Sequence, residues 1–300
     1  MNRRQFIAVM AAGVFLGIPN IITKRGFAAS SHHSAKHPNA FRERMCTLEA
    51  AAKGRLGVYI LDTASGKEYG YRPDERFMML STFKLMASAF VLYRVDAGQE
   101  SLNRRIPYTK EDLIDWSPIT EKHAGGAGMT LAELCEATLT TSDNTAANLI
   151  LSSFGGPTAL TAFARQLGDD ITRFDRTEPD VNIKSADGLL DTTTPRAITG
   201  LLQKVVLGNV LSVSSRGQLQ QWLLNNTTGN RRLRAGLPTG WRIGEKTGTN
   251  KAGANDIGII WPPNRKPVVV AGYLGDSSAS IEIRESTLAA VGELVADITA

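Results

Sequence analysis

Cysteine and histidine are scarce in this sequence, and each scarcity excludes something. The only cysteines among the 300 residues are Cys46 and Cys135. Two thiols cannot build the dense disulfide framework of a small secreted scaffold. A single bridge between them is open to an exported protein. However, Cys46 falls on a surface-helix pattern and Cys135 in an apolar helix far along the chain, so two unpaired thiols are expected. Of the four histidines, His32, His33 and His37 sit in the polar tract Ser31–Asn39 without acidic or cysteine partners, which reads as a solvated tail. Only His123 is left for the rest of the chain, too few for a histidine-rich zinc site. Neither a metal nor a cofactor is expected. There is no internal repeat and no heptad pattern, and beyond the N-terminal segment no stretch is apolar enough to span a bilayer.

Excess charge is also missing from the body of the chain. The formal net charge is +5, but Arg3, Arg4, Lys24 and Arg25 are the only charged side chains before Ser31, so the remainder stands near +1. Nucleic acid is therefore not an expected partner. Arg3-Arg4-Gln5-Phe6-Ile7, the apolar run to about Ile22 and the small residues Ala28-Ala29-Ser30 read as an export signal over residues 1–30. A twin-arginine signal is expected, with a general secretory signal carrying a chance arginine pair as the alternative. Either route takes the mature chain to the periplasm. No cysteine lies at the cleavage region, so no lipid anchor is expected. A hydrophobic content of 42% and a charged content of 21% then leave an ordinary globular chain, long enough for a large core.

Periodicity divides that chain in three. Phe41, Met45, Leu48 and Ala52 form a helical stripe, Leu56–Leu61 reads as a strand, Thr63–Gly66 as a turn and Glu68–Tyr71 as the returning strand. The pattern is then helical from Ser81 to about Pro238, with helices expected over Leu131–Thr140, Thr145–Phe154, Pro157–Leu167, Pro195–Val206 and Arg216–Asn225. Asp175–Asp191 has little apolar period and reads as a long ordered loop. Strands return at Arg242–Thr247, Asp256–Trp261 and Pro267–Tyr273, and an amphipathic helix closes the chain over Glu282–Ala300. Early and late strands imply one antiparallel sheet, flanked by helices and formed by both chain ends, with an inserted all-α domain: α/β plus all-α. The expected boundaries are 31–72 with 239–300 for the α/β part and 73–238, including loop 175–191, for the helical part. A cleft is expected where the two meet.

Four short stretches carry chemistry. Ser81-Thr82-Phe83-Lys84 opens a buried helix, which puts a hydroxyl and an amine on one helical face. A desolvated lysine can take the serine's proton, and the free N–H groups of a helix N-terminus can stabilise an oxyanion. An N-capping serine beside a surface lysine is the alternative. Ser142-Asp143-Asn144 sits between two helices, where Ser142 could relay a proton to a leaving nitrogen and Asn144 could orient a carbonyl; it is also a common turn and cap. Arg176–Asn182 holds Glu178 before Pro179, with Asn182 four residues on, a pair able to grip one water; a loop ion pair and a turn asparagine is the alternative. Lys246-Thr247-Gly248-Thr249 lies on a late strand. There Gly248 would let a substrate edge approach, Lys246 and Thr247 would meet a carboxylate, and the Thr249 N–H would complete an oxyanion hole, unless this is only an edge strand.

In the order S-x-x-K, S-D-N, E-P-x-x-N, K-T-G, the chain strongly resembles the class A serine β-lactamases from about Phe41 to Ala300. Trp116-Ser117-Pro118, Glu121-Lys122-His123, Asp143–Asn148 and Asp191–Pro195 extend the likeness. The resemblance implies Ser81 as nucleophile, Lys84 and Glu178 as proton handlers in acylation, and Glu178 with Asn182 as holders of the deacylating water. It implies Ser142 as proton donor to the ring nitrogen and Asn144 as a grip on the substrate side-chain amide. Lys246, Thr247 and Thr249 would hold the substrate carboxylate, with Arg232 behind the strand in support. Trp116 would stand at the mouth, and His123 would be structural. The implied partner is a small β-lactam, met by a monomer.

This sequence departs from the family pattern in places. Thr177 stands where many members carry a bulky residue, and Ser88 stands where one branch has a cysteine bridged to the counterpart of Cys135. Leu80 and Asn250 occupy positions where the carbapenem-hydrolysing branch has cysteines, which argues against carbapenem hydrolysis, and Asn250–Ala254 is one residue short. The resulting expectation is a β-lactamase acting on penicillins and cephalosporins. A penicillin-binding transpeptidase or carboxypeptidase, or a β-lactam sensor domain, is the alternative. Either would lack the Glu178–Asn182 pair. An ion pair between Arg176 and Asp191 is expected to close the loop.

Overall fold

The computed structural model describes residues 38–299, which belong to one compact unit. The export signal expected over 1–30 and the histidines His32, His33 and His37 lie outside the described residues.

Helix α1 (Pro38–Ala52) leads into β1 (Arg55–Asp62) and β2 (Glu68–Tyr71), a hairpin with Val58 opposite Tyr71 and Leu61 opposite Glu68. The short β3 (Phe77–Met78) and a 3₁₀ turn (Leu80–Thr82) precede α2 (Phe83–Asp96). The short strands β4 (Arg105–Ile106) and β5 (Met129–Thr130) pair with each other ahead of α3 (Leu131–Thr140), α4 (Asn144–Ser153) and α5 (Gly156–Gln166). The short β6 (Thr192–Thr193) returns to β3, and α6 (Pro195–Leu202) and α7 (Val213–Leu224) follow. Finally β7 (Arg242–Asn250), β8 (Gly253–Trp261), β9 (Val268–Gly275) and α8 (Ile281–Thr299) close the fold. The main sheet has the order β2-β1-β9-β8-β7, antiparallel throughout, so β1 lies against the last strand and both chain ends build one sheet.

That sheet is covered on both faces, which explains why β1 and β9 read as nearly unbroken apolar runs. Residues alternate between two cores. Val58, Ile60, Val268 and Val270 pack with Met45 of α1 and Val291 and Val295 of α8. Ile257, Ile259, Val269, Ala271 and Tyr273 pack on the other face with α2 and the remaining helices. Helix α2 is buried on nearly every side, from Phe83 to Leu92, as expected of a helix apolar all round. The α-helix itself begins at Phe83 and not at Ser81, because the serine sits in the preceding 3₁₀ turn.

Two other elements differ from their sequence patterns. The α6 region stops as an α-helix at Leu202 and continues as a π-helical turn over Gln203–Leu207. Strands β7 and β8 run on until Asn250 faces Gly253, leaving only Lys251 and Ala252 as the hairpin turn. Neither turn residue carries the usual Gly or Asn signature, so pairing to the neighbouring strand, not local preference, extends these strands. The thiols are unpaired, with Cys46 exposed and Cys135 buried. Burial pushes the Cys135 thiol up to about 12, with the Ser88 hydroxyl opposing the rise.

Loop 175–191 contains one 3₁₀ turn, Asp180–Asn182, and is tied at its base by two aspartates. Asp191 Oδ1 accepts from the backbone N–H groups of Asp175 (2.8 Å) and Arg176 (2.9 Å), while Asp175 Oδ2 accepts from the Asp191 N–H at 2.8 Å. Arg176 Nε donates to Asp191 Oδ2 at 2.6 Å, forming the expected ion pair, and Arg176 Nη2 reaches the Ile183 carbonyl at 2.7 Å inside the loop. Asp191 has a positive φ of 53°, which Asn tolerates as well as Asp. The substitution Asp191→Asn therefore removes charge while sparing the backbone. It should lower stability by about 3 kcal/mol, since breaking one side of a buried pair leaves a charge without its partner, and should slow turnover by loosening the loop. Thermal melts and steady-state rates check this; an unchanged Tm and an unchanged kcat would contradict the clamp.

Candidate active site

Ser81 and Lys84 meet the loop at a single oxygen. The Ser81 hydroxyl donates to Glu178 Oε1 at 3.1 Å, and Lys84 Nζ lies 3.0 Å from the same atom. Lys84 is fully buried and directs its remaining hydrogens at the Ser142 carbonyl (2.8 Å) and Asn144 Oδ1 (2.5 Å). An ammonium has three donors, so this site satisfies all of them. Burial holds the Lys84 amine below its ordinary value, and the Glu178 charge opposes that shift.

Glu178 is placed by side chains from two directions. Asn148 on α4 accepts from the Glu178 N–H at 3.0 Å and donates to the Glu178 carbonyl at 2.8 Å, pinning the peptide at both ends. The Glu178–Pro179 bond is cis. Asn182 Nδ2 donates to Glu178 Oε2 at 2.6 Å. The pair read as gripping a water between them thus touches directly, and Asn182 Oδ1 remains a buried acceptor with no protein donor. Glu178 accordingly has two distinct edges, Oε1 toward Ser81 and Lys84 and Oε2 toward Asn182.

Ser142 and Asn144 flank Asp143, which points away from them. Asp143 accepts from the N–H groups of Ala146 (2.8 Å), Ile119 (3.0 Å) and Thr120 (2.9 Å), so it caps α4 and ties down the 119–120 turn. Ser142, at φ +63°, turns its hydroxyl to accept from Lys246 Nζ at 3.0 Å, with Lys84 Nζ 3.4 Å away. Asn144 Nδ2 donates to the Asp115 carbonyl at 2.8 Å. Its side-chain oxygen is committed to Lys84, so Asn144 positions the amine as well as facing the cleft. Trp116 stands at the mouth, 64% exposed, with its Nε1 donating to the Thr141 carbonyl at 3.0 Å.

The far wall is β7, an edge strand. Lys246 is fully buried and also donates to the Thr247 carbonyl at 2.8 Å. Burial pushes its amine well down, reinforced by the charges of Lys84 and Arg232 and opposed by Glu178 and Asp256. Thr247 Oγ1 lies 2.5 Å from Thr228 Oγ1. Arg232 does lie behind this strand, where its two Nη groups are committed and its buried Nε has no protein acceptor. Nη1 bonds the Gly248 (3.0 Å) and Asn255 (2.9 Å) carbonyls, and Nη2 bonds Thr249 Oγ1 (2.7 Å) and lies 3.4 Å from Glu285. The guanidinium therefore shapes the strand and reaches the cleft through Thr249.

The resulting cleft, about 770 Å³, is lined by Ser81, Trp116, Ser142, Asn144, Asn182 and the inner edge of Thr247–Thr249. All twelve residues singled out from sequence converge on it or on its immediate supports. Asn148, Thr228, Glu285 and Asn255 were not singled out. Asn148 alone carried a usable signal, lying four residues after Asn144 and hence on the same helical face. Among the described residues no group of three or more His, Cys, Asp and Glu side chains is placed to hold a metal ion.

Gly248 lines the cleft and has a further duty beside it. A Cβ there would lie 2.9 Å from Leu80 Cβ, 3.0 Å from the Met79 carbonyl oxygen and 3.2 Å from the Ser81 nitrogen. The missing side chain makes room for the turn that carries Ser81, with Asn255 Nδ2 bonding the Met78 (2.9 Å) and Met79 (3.1 Å) carbonyls beside it. Gly248→Ala should therefore push the Ser81 turn away from β7 and cut kcat/KM for a penicillin by about 100-fold, the cost of a roughly 1 Å misplacement. Parent-like kinetics for the variant would show that the turn yields freely.

The comparisons with known proteins agree with this geometry. The model of a family described as the beta-lactamase enzyme family matches residues 40–299. Beta-lactamase L2 of Stenotrophomonas maltophilia is 44% identical over 298 residues, covering 98% of each chain, and beta-lactamase OXY-1 of Klebsiella oxytoca is 43% identical, covering 97% of this chain and 96% of its own. Among solved structures, an ancestral class A β-lactamase is 54% identical with a TM-score of 0.84, covering 85% of this chain and 98% of its own. A structure described as the putative class A β-lactamase PenP of Rhodopseudomonas palustris is 53% identical, also at a TM-score of 0.84, covering 86% and 98%. With its serine, lysine and loop glutamate gathered at one oxygen, the chain belongs to the class A β-lactamases.

Proposed function

We propose that this protein hydrolyses penicillins and cephalosporins through an ester on Ser81. The observation that carries the reading is the 3.1 Å hydrogen bond from the Ser81 hydroxyl to Glu178 Oε1. A β-lactam sensor stops at the acyl-enzyme and a transpeptidase resolves it with an amine; a carboxylate aimed at the nucleophile from a clamped loop serves a second step with water, hydrolysis.

In acylation, Ser81 Oγ attacks the lactam carbonyl and gives its proton to Glu178 Oε1. Lys84, held low by burial, stands at the same oxygen to share the proton. The N–H groups of Ser81 and Thr249 receive the developing oxyanion. The carbon–nitrogen bond breaks, and Ser142 passes a proton to the ring nitrogen, replenished from Lys84 or Lys246, the two amines around its oxygen. Lys246 and Thr247 meet the substrate carboxylate, Arg232 holds Gly248 and Thr249 in register behind them, and Asn144 and Trp116 face the substrate side chain. In deacylation, Glu178 takes a proton from water, hydroxide adds to the ester carbonyl, and Ser81 leaves with the proton returned. One water is consumed and the ring-opened acid released. Asn182 fixes Glu178 and offers Oδ1 as a second acceptor for that water.

The organisation expected from the sequence completes the proposal: an α/β part over 31–72 and 239–300, a helical part over 73–238, and an exported monomer in the periplasm. Twin-arginine export rests on Arg3-Arg4 and the apolar run behind them. No helix among the described residues is long and apolar enough to cross a membrane.

Glu178→Ala separates the two steps. Lys84 remains beside Ser81 to take its proton in acylation, whereas deacylation loses general-base help of about 10²–10⁴-fold, so the variant should react with a penicillin and then stall. Intact-mass spectrometry should find one added penicillin per chain, on Ser81, long after the parent has cleared its own. A parent that itself keeps the adduct for hours supports the sensor or transpeptidase reading. Equal turnover by both proteins removes Glu178 as the base.

A further inference from the structure

Strand β7 carries one more acid, directly before Lys246. Glu245 and Asp256 are both fully buried. Thr247 faces Asp256 across the β7–β8 ladder and Glu245 lies two residues from Thr247, so the two acids are diagonal neighbours on one face of the sheet. Each carboxyl acts on the other's charge. Their other oxygens are supplied: Glu245 Oε1 accepts from Arg234 Nε at 2.8 Å and Asp256 Oδ2 from the Leu233 N–H at 3.2 Å. Glu245 Oε2 and Asp256 Oδ1 have no donor. Two carboxylates have no hydrogen between them, and one added proton supplies it.

Charge around the pair gives the same answer. Arg234, Arg232 and, from the adjoining position of β7, Lys246 are the cations around it, and Arg232 already lies 3.4 Å from Glu285 on α8. On β9, the residue opposite Asp256 is Gly272, which brings no charge. Arg234 is the cation paired directly with either acid, which matches one negative charge, while a second would be met only at longer range by Arg232 and Lys246. The pocket is closely fitted: a Cβ on Gly229 would come within 2.1 Å of Glu245 Oε1. Burial, followed for Asp256 by the neighbouring acid, drives both carboxyls upward, and the Asp256 charge in turn favours the charged form of Lys246.

We propose that Glu245 and Asp256 hold a single proton between Oε2 and Oδ1, and that the resulting monoanion is a positioning pair that keeps Lys246 charged for the substrate carboxylate. The second half rests on the role proposed above for Lys246; the first half does not. The pair resembles two acids sharing one site, of which only one ionises.

Amide substitution tests both halves. Glu245→Gln or Asp256→Asn leaves one carboxylate and an N–H donor for it, the same charge as the protonated pair. Infrared difference spectra at pH 8 should show a protonated carboxyl in the parent that each single variant loses. The alkaline limb of kcat/KM for a penicillin should stay in place in each single variant. In the double variant, which has no charge left, the limb should move down by about one pH unit, mainly through KM, as expected for a shift of roughly one unit in the Lys246 amine. Absence of the carboxyl band, with the limb already displaced in the single variants, would overturn the shared proton. A band that is present with an unmoved limb in a folded double variant would overturn the link to Lys246 alone. Should the double variant not fold, Glu245→Ala, which keeps one carboxylate but no donor for it, should lower Tm more than Glu245→Gln; equal effects would overturn the pairing.

Discussion

Glu178 Oε1 accepts from the nucleophile and from the buried lysine at once, and the rest of the molecule serves to hold it there. A carboxylate reaching this depth from a loop needs its backbone fixed, its charge balanced and its second oxygen occupied. Asn148 supplies the first, Lys84 the second and Asn182 the third. The aspartate clasp at the loop base and the Arg176 side chain across it keep a segment with little regular structure from drifting. On the other side, α2 is buried almost all round, so Lys84 on it and Ser81 in the 3₁₀ turn that leads into it are carried by an element that has no freedom to tilt.

Cations gather around this carboxylate. Lys84 and Lys246 are both fully buried and share the Ser142 hydroxyl, and Arg232 lies behind Lys246. Desolvation pushes both lysines toward the neutral amine, and repulsion from Lys84 and Arg232 adds to it at Lys246, which suits proton transfer at Lys84 but opposes anion binding at Lys246. Glu178 pairs with Lys84, Glu285 with Arg232 and Glu245 with Arg234, whereas Lys246 bonds only the Ser142 hydroxyl and the Thr247 carbonyl. The site is thus a set of charges whose balance decides which amine is charged when substrate arrives.

Much of this was legible in the sequence because it depends on short spacings. Ser81 and Lys84 are one helical turn apart, Glu178 and Asn182 four residues apart, and Arg176 and Asp191 bound a stretch without periodicity, so local geometry brought out all three pairs. What stayed hidden depends on how strands and loops meet. Gly248 lines the cleft, but it also makes room for the Ser81 turn, which only the contact between β7 and that turn reveals. Arg232 was placed behind the strand correctly, but its commitment to the Gly248 and Asn255 carbonyls follows from the β7–β8 register. The same register joins Glu245 to Asp256, eleven positions apart, and runs β7 and β8 out to the Lys251-Ala252 turn that local preference did not mark. Asn148 was within reach, on the face of α4 that Asn144 defines.

The two oxygens of Glu178 imply a division of labour, with Oε1 serving acylation beside Lys84 and the edge held by Asn182 serving deacylation. Stopped-flow measurement of both steps for a penicillin with Asn182→Ala tests this directly. Deacylation should slow by about 10²-fold or more once Glu178 is released on that edge, while acylation stays within a fewfold of the parent because Ser81 and Lys84 keep their oxygen. Equal slowing of both steps would contradict the division, and so would a variant whose acylation alone is lost.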